Sequence, residues 1–369
     1  MNKKKILQQK FLVAVFLVFL IAPMIVHLFV KDTIDTENRE KRELVQFSEV
    51  AAAPLRSKPY VFQQYFNDHL PFKNQLVAVN SLVSMRLFHT TASPLVLVGE
   101  KNWLFFNNIG ADNPIDDVLG ITTYSEEDLK LAAENIERRR ENLESQGIEL
   151  YVMVVPNKEA AYFEYLPGYI QEKVAEKSRT DELAEYLVKN GVDIVYPKQE
   201  LLAAKEKNQV YYKYDTHWNH LGAYTGVREL YSCMGISLPA LDSYKVTTGA
   251  PSKDLADLAG IGTFCEDDVS YWTEGFGEGI GYKAEYLDHG YVRYTSDSED
   301  NRTVLVIGDS YFGSMQPYFY LQFGEVIEIN RNAAKYNPDE LIARYRPDIV
   351  VLQIVERASS VLLHEDILK

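Results

Sequence analysis

The sequence predicts an α/β protein: a mainly parallel sheet with helices on both faces, preceded by one N-terminal transmembrane helix. Three observations predict it. A charge-free apolar run occupies residues 11–30, short apolar strands alternate with helical periods from Ser125 onward, and two strand-like segments end in turns carrying Ser, Asp and His. Strands alternating with helices imply parallel pairing, and ligands of such sheets sit outside the carboxyl ends of the strands. The 369 residues, 46% apolar and 25% charged, are enough for a sizeable core and exclude a mostly disordered chain. A net charge of −15 with no basic stripe to offset it excludes nucleic acid as a partner.

The elements follow in order. Phe11 to Val30 (FLVAVFLVFLIAPMIVHLFV) supplies the ~20 apolar residues that a helix needs to cross a bilayer, with Pro23 and His27 as its only soft spots. No small-x-small cleavage site follows at Val30-Lys31-Asp32, so an uncleaved anchor is expected. Lys3, Lys4, Lys5 and Lys10 precede the span and acids follow it, which places the N-terminus in the cytoplasm and the rest outside. Residues 1–31 therefore read as a cytoplasmic stub and anchor. Residues 32–95 read as a membrane-proximal stalk and helical region, where Phe62, Tyr65, Phe66, His69 and Leu70 recur at helical spacing until Pro71. Residues 96–369 form the main domain, entered through a hairpin at Val96 to Phe106.

Within that domain Ser125 and Asp128 resemble a capping box, ahead of a helical face of Leu129, Ala133, Ile136 and Leu143. Gly147 is placed to end that helix before the apolar strand Ile148 to Val155. A helix from Thr180 to Lys189 leads to a short strand at Val192 to Tyr196. Thr303 to Ile307, Glu325 to Ile329 and Asp348 to Val355 complete the strands, with Pro338 opening the helix between the last two. Between about 237 and 302 the periodicity fails, and the Gly-, Asp-, Glu- and Tyr-rich stretch reads as a long insertion.

Two motifs stand at strand ends. Gly308-Asp309-Ser310 follows the apolar TVLVI, so a sharp turn presents a serine where the next helix would aim its N–H groups. The same triplet also suits a plain helix cap. Asp215-Thr216-His217-Trp218-Asn219 follows the strand-like Tyr211 to Tyr214. In an extended segment Asp215 and His217 face one side, as an imidazole and its orienting carboxylate must; a structural histidine with an Asx turn is the alternative. A zinc site on His217 and His220 lacks a third ligand at convincing spacing. Cys233 and Cys265 are the only cysteines, and either a disulfide or two buried thiols fits them.

Taken with other short motifs in the same order, the sequence resembles the SGNH-type acetyltransferase-like (DHHW) proteins, which include the bacterial alginate O-acetyltransferases. The series comprises Glu37-Asn38-Arg39, Asn67-Asp68-His69-Leu70-Pro71-Phe72-Lys73, Asn102-Trp103-Leu104-Phe105-Phe106, Val155-Pro156-Asn157-Lys158, Asp215-Thr216-His217-Trp218, Gly308-Asp309-Ser310 and Glu356-Arg357. Lys73 replaces an Arg of the family pattern and Asn102 a Gly. The resemblance implies an SGNH-hydrolase-like fold and a Ser310–His217–Asp215 triad, with Asn157, Lys158, Trp218, Asn330 and Arg331 as oxyanion or substrate-binding candidates. It implies no metal and no cofactor. The expected activity is transfer of acetyl groups to hydroxyls of a polysaccharide through an acetyl-serine, with a membrane-bound O-acyltransferase as the acetyl-donor partner. A carbohydrate acetyl esterase using the same triad, or a non-catalytic glycan-binding assembly subunit, are the competing functions.

Overall fold

The three most apolar strand runs of the sequence become adjacent parallel strands, because a strand buried on both faces needs apolar side chains throughout. The computed structural model describes residues 3–30, 43–108, 110, 112–249, 252–265, 270–287, 290–332 and 336–369. They divide into two units, residues 1–93 with 256–264, and residues 94–255 with 265–369. Glu37-Asn38-Arg39 lies outside the described residues.

The first unit is helical: Lys3–Val30, Phe47–Ala52, Lys58–Asp68 and Lys73–Phe88. Among the described residues no helix is long and apolar enough to cross a membrane. The helix Lys3–Val30 does carry the charge-free run, but the side chains of Phe19, Leu20, Pro23, Met24, His27, Leu28 and Val30 fall outside what is described, so the expected span is not tested there. Asp68 is buried and accepts the Val45 N–H at 2.9 Å, while Lys73 stands 3.9 Å away. Gly260, at φ +73°, lets its turn approach Val77, whose Cγ1 would be 2.6 Å from a Cβ there.

In the second unit β1 (Val96–Val98) and β2 (Leu104–Phe106) form the expected hairpin. The remaining strands are β3 (Glu149–Val155), β4 (Lys245–Gly249), β5 (Ser270–Glu274), β6 (Tyr282–Leu287), β7 (Tyr291–Ser296), β8 (Asp300–Gly308), β9 (Phe323–Asn330) and β10 (Ile349–Val355). The main sheet runs β3-β10-β8-β9-β7-β6. Its first four strands are parallel, and β7 and β6 add antiparallel at one edge. Every residue of β10 is buried. Val350, Leu352 and Ile354 meet Ala132, Ile136, Leu143, Leu183 and Leu187 from the helices Glu126–Glu144 and Arg179–Lys189. On the other face Ile349, Val351 and Val355 join Leu221, Val227 and Leu230 from the helix His220–Cys233. Ser125 caps Glu126–Glu144 with Asp128 as the reciprocal acceptor, Gly147 takes φ +77° after it, and Pro338 opens Pro338–Tyr345.

Three expectations are corrected. The sheet is mixed rather than mainly parallel over its whole width. The stretch 237–302 is not an extended loop: it contains β4 to β7, and it lacked a readable period because β6 is exposed along almost its whole length and β4 is at most half-buried. Val192 to Tyr196 makes only a single bridge, Val195 to Met153. Cys233 is exposed and Cys265 is buried.

The helix His220–Cys233 approaches the segment before it so closely that a Cβ at Gly222 would lie 2.2 Å from the Val210 carbonyl oxygen. Gly222→Ala is therefore expected to cost about 2–3 kcal/mol, seen as a lower urea midpoint. Gly168→Ala, where nothing lies within 4 Å of the added methyl, should leave the midpoint unchanged.

Candidate active site

The carboxyl ends of β3, β8 and β10 lie along one edge of the sheet, since the register pairs Val355 with Val155 and Leu352 with Ile307. Asn157, Ser310 and Arg357 follow these strands. At the β8 end, Asp309 is buried and caps the short helix Ser310–Ser314: its Oδ1 accepts the Tyr311 N–H at 2.9 Å and its Oδ2 the Val355 N–H at 2.6 Å. Gln353, occupying the face of β10 that otherwise holds apolar residues, donates to Asp309 Oδ1 at 3.1 Å. Asp309 is thus the cap, and the exposed Ser310 is left to face outward.

The segment carrying His217 is built as an irregular hairpin. Tyr211 bridges Trp218, and the Tyr212 N–H donates to the His217 carbonyl at 3.2 Å. Asn219 caps the next helix by accepting the Leu221 and Gly222 N–H groups, so the cap falls to Asn219 and not to Asp215. Two bonds pin this hairpin to the serine turn: Trp218 Nε1–H donates to the Tyr311 carbonyl at 2.9 Å, and the Tyr311 hydroxyl donates to the Thr216 carbonyl at 2.8 Å. His217 and Ser310 are brought together between them.

His217 Nδ1 is 2.7 Å from Asp215 Oδ1, and His217 Nε2 is 2.8 Å from Ser310 Oγ. A carboxylate only accepts, so Nδ1 carries the proton and Nε2 is the acceptor for the serine hydroxyl. Asp215 Oδ1 also accepts the His217 N–H at 2.9 Å, while Oδ2 accepts Ser252 Oγ–H at 2.7 Å and the Asp254 N–H at 2.8 Å. Burial by itself raises the Asp215 carboxyl, but the bond and charge of His217 with these N–H donors hold it well below the usual carboxylate range. Burial likewise opposes a charge on His217, yet Asp215 and then Asp254 raise it above its ordinary 6.5. Asp254 Oδ2 stands 3.8 Å from His217 Nδ1, and Asp254 Oδ1 accepts the Thr216 N–H at 2.7 Å. Burial and the charge of Asp215 push the Asp254 carboxyl up.

A cavity of about 220 Å³ opens beside Ser310, with Asn108, Asp112, Arg331, Asn332 and Arg357 in its wall. Arg331 is the one sequence-expected auxiliary residue that lines it. Asn157 is buried next door, its Oδ1 3.4 Å from Arg357 and its amide nitrogen without a partner. Asn330 instead accepts the Asn332 N–H at 3.0 Å and does not line the cavity. Two further candidates are corrected. Lys158 is wholly buried and donates to the carbonyls of Leu104, Lys213 and Asp215, which a buried ammonium needs. Trp218 is wholly buried with its N–H held by Tyr311, so it is a packing residue.

Sequence reasoning did not reach Ser252, Asp254 or the placement of Arg357. Asp254 and Ser252 lie in the stretch without periodicity, and no spacing rule ties them to Asp215. Asp215, His217 and Asp254 are also grouped tightly enough to suit a cation, with donor atoms within 4.8 Å of one another. A cation there would have to displace the bond between Asp215 and His217. His220, the other histidine of the segment, packs edge-on against Trp272 at 4.4 Å, and burial lowers its pKa.

Comparison with known proteins adds the family. Residues 96–264 match the family described as SGNH hydrolase-like domain, acetyltransferase AlgX. The probable alginate O-acetylase AlgJ of Pseudomonas syringae is 26% identical over 183 residues, 48% of this chain and 42% of the relative. Its counterpart in Pseudomonas aeruginosa is 26% identical over 186 residues, 50% of this chain and 44% of the relative. The match thus spans less than half the length of these relatives. Among solved structures, a DHHW family protein from Eubacterium siraeum has a TM-score of 0.52 at 17% identity, covering 74% of this chain and 92% of that one. Bacillus cereus PatB1 with a sulfonyl adduct has a TM-score of 0.52 at 15% identity, covering 74% of this chain and 99% of that one. These two share the fold of this chain over the spans they cover.

The raised His217 yields a test that needs no knowledge of the substrate. Neutral His217 takes the serine proton, so labelling of Ser310 by a small sulfonyl fluoride should accelerate with pH through a midpoint above 6.5. Asp254→Asn keeps the acceptor for Thr216 but removes one negative charge, so its midpoint should move down toward 6.5. An unmoved midpoint in Asp254→Asn, followed by mass spectrometry of the labelled peptide, would show that Asp254 does not act on His217.

Proposed function

We propose that the chain is a membrane-anchored, extracytoplasmic O-acetyltransferase that moves acetyl groups onto hydroxyls of a polysaccharide. One observation carries the chemistry: His217 bridges the buried Asp215 and the exposed Ser310 at hydrogen-bond distance on both ring nitrogens. In this reading Ser310 Oγ attacks the donor's acetyl carbonyl while its proton passes to His217 Nε2. The tetrahedral intermediate collapses, the donor's leaving atom takes that proton, and Ser310 is left acetylated. A sugar hydroxyl then gives its proton to His217 and attacks the acetyl carbon, and Ser310 Oγ leaves and takes the proton back. Asp215 holds the imidazole in the needed tautomer throughout and stabilises the imidazolium in each half.

The wall beside Ser310 suits this reaction. Arg331 and Arg357 place two guanidinium groups in a cavity that also includes Ser310, where an oxyanion would develop. Asn157, with an unpartnered buried amide nitrogen, is a further donor candidate. The acceptor site is assigned to the stretch 237–302. Its β6 sets Tyr286 at the surface, 81% exposed, while Tyr282 and Tyr294 instead stack on Tyr320.

The charge-free run at residues 11–30 and the lysines before it support an N-terminal anchor with the catalytic unit outside. Acetyl-coenzyme A is confined to the cytoplasm in that topology, so a membrane-bound O-acyltransferase is the proposed donor partner. The relatives named as probable alginate O-acetylases support a polysaccharide acceptor.

Ser310→Ala, His217→Ala and Asp215→Ala should each lower acetyl transfer by roughly 10⁴-fold or more, and the double variants should be little worse, because triad members act as a unit. Retained turnover in Ser310→Ala would remove the acetyl-serine from the mechanism. Given an activated acetyl ester, the protein should release acetate slowly alone and make acetylated sugar faster when the right oligosaccharide is added, as product partition by mass spectrometry would show. Rapid deacetylation of acetylated glycans with no transfer to any acceptor would make it an esterase.

A further inference from the structure

The helix Lys73–Phe88 exposes an apolar sector on the side opposite the one it buries, although a helix at a water-facing surface normally turns its apolar face inward. Ala78 and Ser81 are buried on its inner face, where Gly260 also meets Val77. Leu76, Val79, Val83 and Leu87 are 53%, 57%, 49% and 65% exposed. At 3.6 residues per turn these four fall in one sector about 80° wide, directly opposite Ala78 and Ser81. Phe62 and Phe66, one turn apart on Lys58–Asp68, are 50% and 43% exposed, and Leu55 is 88% exposed. A contiguous outer apolar face on a protein marks a binding surface rather than chance exposure.

Charge says what covers it. Between residues 54 and 93 the chain carries Arg56, Lys58, Lys73 and Arg86 against a single acid, Asp68, and Asp68 is buried. The same unit also carries Glu43, Glu49 and Asp257, so the positive excess is local to residues 54–93. Arg86 borders the apolar sector on the helix, where a long cationic side chain can reach up to a headgroup while its stem stays in apolar surroundings. A second copy would bring the same positive charge to the contact and be repelled. An anionic lipid surface satisfies both the apolar sector and its basic rim, and basic-rimmed helices with Leu and Phe on the other face lie in such interfaces.

We propose that the helices of residues 58–88 lie on the membrane surface, with Leu76, Val79, Val83 and Leu87 immersed among anionic lipids and Arg56, Lys58 and Arg86 at the headgroups. The inference rests on the anchoring read above: only 16 residues separate Val30 from Phe47, which at full extension span at most about 55 Å. The test uses the full chain in vesicles of phosphatidylcholine and phosphatidylglycerol, with a diazirine-bearing residue placed at position 83 or 87. Position 17 in the apolar run reports the anchor, and the exposed position 131 is the control expected to remain in water. Lipid adducts at 83 and 87 within about threefold of those at 17, with none at 131, are the expected result. Arg56→Glu with Arg86→Glu should cut the adducts at 83 and 87 at least several-fold and leave those at 17 unchanged. Adducts at 17 alone would keep the anchor and overturn the surface docking, as would cross-links from 83 or 87 to a second copy. Adducts at 83 and 87 without any at 17 would sustain the docking and remove the anchor.

Discussion

Taking the Asp215 carboxylate out of water costs several kcal/mol unless its oxygens are fully hydrogen-bonded, and the site is organised around meeting that demand. Four donors converge on it: the His217 N–H, His217 Nδ1–H, the Ser252 hydroxyl and the Asp254 N–H. Two of them come from a stretch that shows no apolar period. That part of the chain is held in place by satisfying a charge as well as by packing Leu255, Tyr244 and Phe276. The same donors orient the carboxylate so that Oδ1 meets the imidazole, and Asp254 in turn accepts the Thr216 N–H, closing the loop around His217. The electrostatic setting of the histidine and the local fold are therefore one set of bonds.

A second group of buried polar side chains does the same for the ends of the strands. Lys158, just beyond β3, draws the carbonyls of Leu104, Lys213 and Asp215 onto one ammonium. Glu356, just beyond β10, accepts the Asn157 N–H, the Ser178 hydroxyl and the Tyr196 hydroxyl. Asp309 joins the β8 end to the β10 end through Gln353 and Val355. Removing one partner of such a buried group strands the others without bonds, which costs more than the bond itself contributed. Residues that stand beside the chemistry in sequence thus mostly hold backbone, and the groups left to face the cavity are few: Ser310, Arg331 and Arg357 among them.

The helical unit follows a different rule. The helix Lys73–Phe88 buries Ala78 and Ser81 on one side and leaves an apolar sector exposed on the other, with Arg86 at its border. Burying such a face against a lipid surface, as proposed, would hold the unit at the bilayer.

Much of this was determined by the sequence alone. Apolar runs of that length read as buried strands, so β3, β8, β9 and β10 were legible, as were the Ser125 cap and the Pro338 helix start. The Asp215-x-His217 spacing marked both residues, but they meet in a bent segment rather than an extended one, with the His217 N–H and Nδ1 both on Asp215 Oδ1. The family resemblance added Ser310 to them. Only the tertiary structure decided the rest, because it depends on contacts between residues distant in sequence. Asp254 lies 3.8 Å from His217 through chain folding that no spacing encodes. Lys158 and Trp218 look like site residues by position, yet each is wholly buried with its polar atoms engaged. The edge strand β6 escaped notice because a strand exposed to water needs no alternating apolar residues, and β7 beside it is mostly half-buried on both faces.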